Sequence, residues 1–215
     1  MIKKKICLLF VIFFSFNFAQ TEIKINLASA ALLIPNIGIE FKISENLGYQ
    51  LDTSASFWDS IDNNPMLFMQ VFNELRYYPK KYNRTFFIAP HIGYGMFLLK
   101  SPKILTSIVD TQFKPEGSYQ SGRNTYYGFT VGKKIKLKNP KFELELFIGG
   151  GSSQSNYKYY NSLGELEFDD PNAKRNFSKS GEELVYKGGL MLVYKLESCF
   201  LKRRVELLTP RVSWR

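Results

Sequence analysis

Apolar and polar residues alternate one by one along eight stretches of the chain, the period-two signature of strands with one apolar face. The first covers Glu22 to Leu33, with Ile23, Ile25, Leu27, Ala31 and Leu33 on one side. The second and third cover Ile37 to Ile43 and Leu47 to Phe57, where Tyr49, Leu51, Ala55 and Phe57 oppose Gln50, Asp52, Ser54 and Ser56. The fourth, Met66 to Tyr78, sets Leu67, Met69, Val71, Leu75 and Tyr77 against Gln70, Glu74 and Arg76. The fifth, Thr85 to Leu98, opposes Phe86, Ile88, Ile92, Tyr94, Met96 and Leu98 to Ala89, His91, Gly93 and Gly95. Asn124 to Leu137 and Phe142 to Ser153 are the sixth and seventh. In the eighth, Leu184 to Leu196, the apolar side carries Leu184, Tyr186, Leu190, Leu192, Tyr194 and Leu196.

The connections alternate in length after the first hairpin. Ser44-Glu45-Asn46, Pro79 to Arg84 and Lys138 to Lys141 are short; Trp58 to Pro65, Lys100 to Arg123 and Asn156 to Glu183 are long. The first connection, Ile34-Pro35-Asn36, is short, and its proline cannot donate a ladder hydrogen bond, which suits a tight turn. An even strand number places both termini on one side. Short turns on that side and long loops on the other predict an all-β, eight-stranded antiparallel transmembrane β-barrel of the outer-membrane type.

The polar face carries Lys24, Glu40, Lys42, Asp52, Glu74, Arg76, Lys134, Glu143, Glu145, Lys187 and Lys195, six bases and five acids. In a soluble barrel or sandwich these would be a solvated outer face around an apolar centre. In a membrane barrel they line the lumen and the apolar face meets lipid. Buried charges must be paired, so the expected arrangement is an ion-pair plug rather than a channel. Gly93, Gly95, Gly128, Gly132 and Gly149 fall on the inward face, where they leave room for large lumen side chains.

Residues 1–19 read as a signal peptide: Lys3-Lys4-Lys5, an apolar run from Ile6 to Phe14, and Ala19 before the cleavage point. The apolar run is too short for a spanning helix, and no later run is long enough, so only a closed barrel could cross a bilayer. Residues 20–196 form the barrel, and 197–215, with Arg203, Arg204, Arg211 and Arg215, form a periplasmic C-terminal tail. The formal charge of +10 falls to near +7 without the leader. No basic run with interleaved aromatics dominates the mature chain, and secretion argues against a nucleic-acid partner. Cys7 lies in the leader, so Cys199 has no intramolecular disulfide partner in the mature chain. Aromatic residues make up 16% of the chain, mostly Phe and Tyr, which suit strands and membrane interfaces.

The chain resembles a bacterial family of small outer-membrane β-barrels catalogued as a domain of unknown function. Four segments in order carry the likeness: Asn26 to Glu40 (NLASAALLIPNIGIE), Asn73 to Tyr78 (NELRYY), Glu143 to Gly151 (ELELFIGGG) and Lys187 to Tyr194 (KGGLMLVY). The resemblance implies an outer-membrane barrel and transfers no catalytic residue. It departs from the pattern at Glu197 to Arg215, which continue past the last strand.

No catalytic, cofactor or metal site is expected. His91 is the one imidazole and lacks the His-x-Ser spacing of lipid-modifying barrels, since the run is His91-Ile92-Gly93. Gly149 to Ser153 has the composition of a phosphate cradle without the following Lys-Ser/Thr. The acidic run Glu165 to Asp170 lacks the spacing of a calcium loop and reads as solvated. The sequons at Asn83 and Asn176 carry no weight in a bacterial chain. The expected role is non-enzymatic, in the cell outer membrane: envelope structure, surface interaction or accessory subunit of a membrane assembly. Expected partners are outer-membrane lipids including lipopolysaccharide, and a protein met through the loops or the basic tail. Two alternatives come from other classes. A lipid-modifying enzyme needs His, Ser and acid on the lipid-facing rim. A soluble periplasmic lipocalin-like carrier needs an apolar interior.

Overall fold

The computed structural model describes residues 21–58, 66–99, 119–160 and 179–196; the leader, the tail, the acidic run and both cysteines lie outside them. Eight strands follow in order: β1 (Thr21–Asn26), β2 (Asn36–Lys42), β3 (Leu47–Ser56), β4 (Met66–Tyr77), β5 (Phe86–Leu99), β6 (Tyr119–Lys136), β7 (Phe142–Tyr160) and β8 (Lys179–Leu196). Each pairs antiparallel with the next, and β8 returns to β1 with Leu192 opposite Ile25, so the sheet is a closed barrel. Closure leaves no open edge along the length where all eight strands run side by side. Thr21 lies opposite Leu196, so both chain ends of the barrel meet on the side of the short turns. We call this the terminus end and the opposite side the loop end.

Antiparallel register fixes which side chains share a face, because successive residues point to opposite sides. On β5, burial alternates without a break from Phe86 to Met96, with Phe87, Ala89, His91, Gly93 and Gly95 inside. Gly93 is needed there, since a Cβ at that position would collide with the ring of Phe72 across the β4–β5 pair.

Three features differ from the expected pattern. First, β1 stops at Asn26, and Leu27–Ala31 form a short helix, α1, in place of the second half of the predicted strand. The side-chain oxygen of Asn26 accepts from the backbone N–H of Ala28 at 3.1 Å and of Ser29 at 3.4 Å, an N-cap. The alanines that follow have high helix propensity. Asn26 Nδ2 donates to Gly188 O on β8 at 3.3 Å, beside Gly189, whose φ of 148° and missing side chain admit it.

Second, β6, β7 and β8 continue towards the loop end well past the predicted limits, to 18 or 19 residues each. Residues 119–123, 156–160 and 179–183, read as loop, are strand. Alternation marks a strand only while one face is apolar; here polar residues predominate, so the pairing continues where that signal fades. Third, β8 carries a register shift: Gly149 faces Lys187 while Gly150 faces Val185. The additional residue, Tyr186, therefore turns inward beside Lys187 and not outward as the alternation implied.

Candidate functional site

The charges on the inner face meet at the terminus half of the lumen, carried by side chains from six strands. Lys24 Nζ lies 2.6 Å from Glu40 Oε2 and 2.6 Å from Glu145 Oε2. Arg76 spans Glu74 at 2.9 Å, Glu145 at 2.7 Å and Glu40 at 3.3 Å. Lys134 reaches Glu22 at 2.6 Å and Glu40 at 3.2 Å. Lys187 closes on Glu74 at 2.6 Å. Glu40 is thus shared among three lumen bases and also accepts from the Tyr78 hydroxyl at 2.6 Å. A shared carboxylate of this kind offsets its desolvation through several charge-assisted bonds at once.

Aromatic rings close the network from below. The Arg76 guanidinium sits 4.0 Å from the Phe87 ring centroid. Arg84 lies over Tyr78 at the same distance and reaches Glu40 at 3.1 Å. Asn83 and Arg84 both have left-handed φ, 43° and 58°, following the 3-10 turn at Lys80–Tyr82. That reversal turns the chain back to the barrel mouth, where Arg84 also donates to the backbone carbonyls of Ser44 and Glu45. Tyr78, Phe87, Ala89, Phe147 and Met191 pack together as an apolar cluster within the lumen.

Of the eleven charges read from the polar face, Lys24, Glu40, Glu74, Arg76, Lys134, Glu145 and Lys187 belong to this one network. Lys195 and Glu143 form a separate pair at 2.6 Å, with the lysine side chain 25% exposed. Lys42 is half-buried and makes no ion pair among the described residues. Asp52 is buried and accepts from Asn36 Nδ2 at 3.2 Å, without a basic partner within 4 Å among the described residues. Glu22, Tyr78 and Arg84 were not expected here. Glu22 shares the face and the strand of Lys24, two residues away, so alternation alone could have found it. Arg84 enters from a turn, which carries no face to read.

Towards the loop end the filling changes to hydrogen-bonded aromatics. Thr130 Oγ1 donates to Glu74 Oε1 at 2.9 Å. Its single proton being used, it accepts from His91 Nδ1 at 2.9 Å. His91 Nε2 then carries the lone pair and accepts from the Tyr186 hydroxyl at 2.6 Å. The bonds run in one direction, from Tyr186 through His91 and Thr130 to Glu74. Phe72 packs against Tyr186 with centroids 6.0 Å apart and nearly parallel planes, and Tyr126 lies 4.8 Å from Tyr186. Lys187 Nζ sits 4.4 Å above Phe72.

His91 therefore faces the lumen, and both its nitrogens are held by lumen hydroxyls. Gly149 to Ser153 are strand residues of β7 and form no phosphate loop. No group of three or more His, Cys, Asp or Glu side chains is placed to hold a metal ion among the described residues.

Residues 5–196 match the family described as "Protein of unknown function (DUF3575)". No curated protein matches the chain, and no solved structure does. The chain belongs to this family.

Proposed function

We propose that this member of the family is an integral protein of the cell outer membrane with a sealed lumen and a non-enzymatic role in the envelope. That role is as structure, as a surface for interaction, or as accessory subunit of a larger membrane assembly. The reading rests on one observation: the polarity of the barrel is reversed relative to a soluble one. Ile37, Ile92, Leu146 and Phe129 are 51–62% exposed on the outer wall, whereas Lys24, Arg76 and Glu145 are 0% exposed inside. Among the described residues, twenty-nine large apolar side chains lie on the exposed surface. Water disfavours so broad an apolar surface by about 25 cal/mol per Å², and lipid removes that cost. A lipocalin-like carrier requires the opposite arrangement. None of the helices among the described residues is long and apolar enough to cross a membrane, so strands are the spanning elements of this reading.

The ion pairs and rings that fill the lumen support a plug rather than a conducting path. The inward, doubly bonded His91 supports a non-enzymatic role over a lipid hydrolase, whose imidazole must meet a nucleophile within hydrogen-bond reach of the substrate. Lipids including lipopolysaccharide contact the wall in this reading, and the loops and basic tail contact a protein partner.

Carbonate or urea washing of membranes tests the location. The chain is expected to stay with the membrane fraction and, folded in detergent, to migrate faster on a gel before boiling than after. Release into the wash would refute the membrane reading and favour the carrier.

A further inference from the structure

We propose that the outer wall of β6 and β7 holds the phosphate of one anionic lipid between Arg123 and Lys158, at the loop end. This seat presupposes the membrane location proposed above and gives it a lipid class. Arg123 lies opposite Asn156 in the β6–β7 register, and Lys158 stands two residues further along β7. Successive strand residues alternate faces, and the register of this pair is unbroken, so the three side chains share the face of the exposed Phe129, Leu146 and Ile148. The two bases are therefore diagonal neighbours, about 7–8 Å apart at the backbone, within reach of one phosphate for side chains of this length. Arg123, Asn156 and Lys158 are all exposed, and neither base makes an ion pair among the described residues.

Charge and shape agree on the occupant. A cavity of about 580 Å³ is lined by Met69, Tyr94, Met96 and Leu98 beside Arg123 and Lys158, and its described lining includes no Asp or Glu. A surface on which acyl chains can lie thus meets two cations that lack a counter-charge. Arginine takes phosphate oxygens in bidentate fashion and lysine adds a second charge, with the Asn156 amide between them. The height along the strand also suits a head group. Lys133 is the next outward charge on β6, ten residues from Arg123, and Thr125, Tyr127, Phe129 and Val131 between them on that face carry none. Ten strand residues span about 33 Å. A strand tilt of about 40° reduces this to about 25 Å, the height of the apolar band of a membrane barrel. Arg123 and Lys158 then stand at the level of the loop-side phosphates, and Lys133 at the opposite boundary.

The test uses the full chain folded in zwitterionic detergent, with heat-dependent gel mobility as the folding control. Phosphatidic acid and phosphatidylcholine with the same acyl chains are titrated in, and lipid bound per chain is counted by native mass spectrometry. The chain should hold phosphatidic acid at least tenfold more tightly than phosphatidylcholine. Arg123→Ala combined with Lys158→Ala should remove that preference and keep the gel mobility, since both side chains are exposed. Lys80→Ala combined with Lys81→Ala removes the same charge from the terminus-end turn and should leave the preference intact. Equal binding of the two lipids by the native chain overturns the proposal, as does a preference that the Arg123 and Lys158 changes leave in place. An equal loss in the Lys80 and Lys81 variant also overturns it, by making the attraction one to the basic protein as a whole. So does displacement by equimolar inorganic phosphate, which would make this a free-anion site. The carbonate wash reads location separately: a chain that stays with the membrane yet lacks the preference sinks this seat and not the location.

Discussion

The two halves of the lumen solve the same packing problem with different chemistry. At the terminus end the interior is ionic: Glu40 and Glu145 are shared among Lys24, Arg76 and Lys134. At the loop end it is aromatic: Phe72 and Tyr186 stack on each other and meet His91 edge-on, and Tyr126 is tilted against both rings. Glu74 belongs to both, bonded to Arg76 and Lys187 and to the Thr130 hydroxyl that supports His91. The difference teaches how cost is distributed. An ionic filling specifies partners sharply and penalises any loss of balance, because a stranded buried charge has no water to turn to. An aromatic filling loses mainly area and contact, and tolerates the loss of a single polar atom.

The largest effect should come from Glu40→Ala. It removes the carboxylate common to Lys24, Arg76, Lys134 and Arg84, and leaves Tyr78 without its acceptor. A loss of roughly 3–5 kcal/mol is expected, read as a fall in the urea midpoint of the detergent-folded chain. A loss below about 1 kcal/mol would mean that the ionic half behaves like a solvated surface.

The aromatic half should give a graded pair of effects. Phe72→Ala opens a cavity beside Gly93 and Tyr186 and should cost about 3 kcal/mol. Tyr186→Phe keeps the ring and removes one hydrogen bond to His91, for about 1 kcal/mol. If the conservative change costs as much as the truncation, the hydroxyl chain and not the stacking holds this half.

The smallest effect should be at Lys195→Ala. Its pair with Glu143 is separate from the network and partly open to solvent, so a change below about 1 kcal/mol is expected. Its salt dependence should exceed that of the buried pairs, measured by repeating the unfolding curve at raised ionic strength.

Much of the barrel could be read from the chain because alternation and register obey the same period. Leu51 and Asp52, or Ile92 and His91, fall on opposite faces in any antiparallel pairing that keeps the apolar side together. The membership of Lys24, Glu40, Glu74, Arg76, Lys134, Glu145 and Lys187 in the inner set follows from parity along each strand. Parity failed at Tyr186, where the shift on β8 resets the count. It failed again at Leu27–Ala31, where an apolar segment with an N-cap became helix. Arg84 was out of reach for a third reason: its side chain arrives from a turn whose direction depends on two left-handed residues.

By itself, then, the order of residues determined the strand class, the strand number and the faces, since these depend on neighbours one and two positions apart. Only the closed sheet decided which charge meets which. Lys24 and Glu145 are 121 positions apart, and their contact depends on β8 closing onto β1 and on the height at which each strand enters the ring. A bulge, a cap or a turn alters that height without altering the local pattern, and so the partners of Glu40, and the bond of Asp52 to Asn36, belong to the tertiary structure.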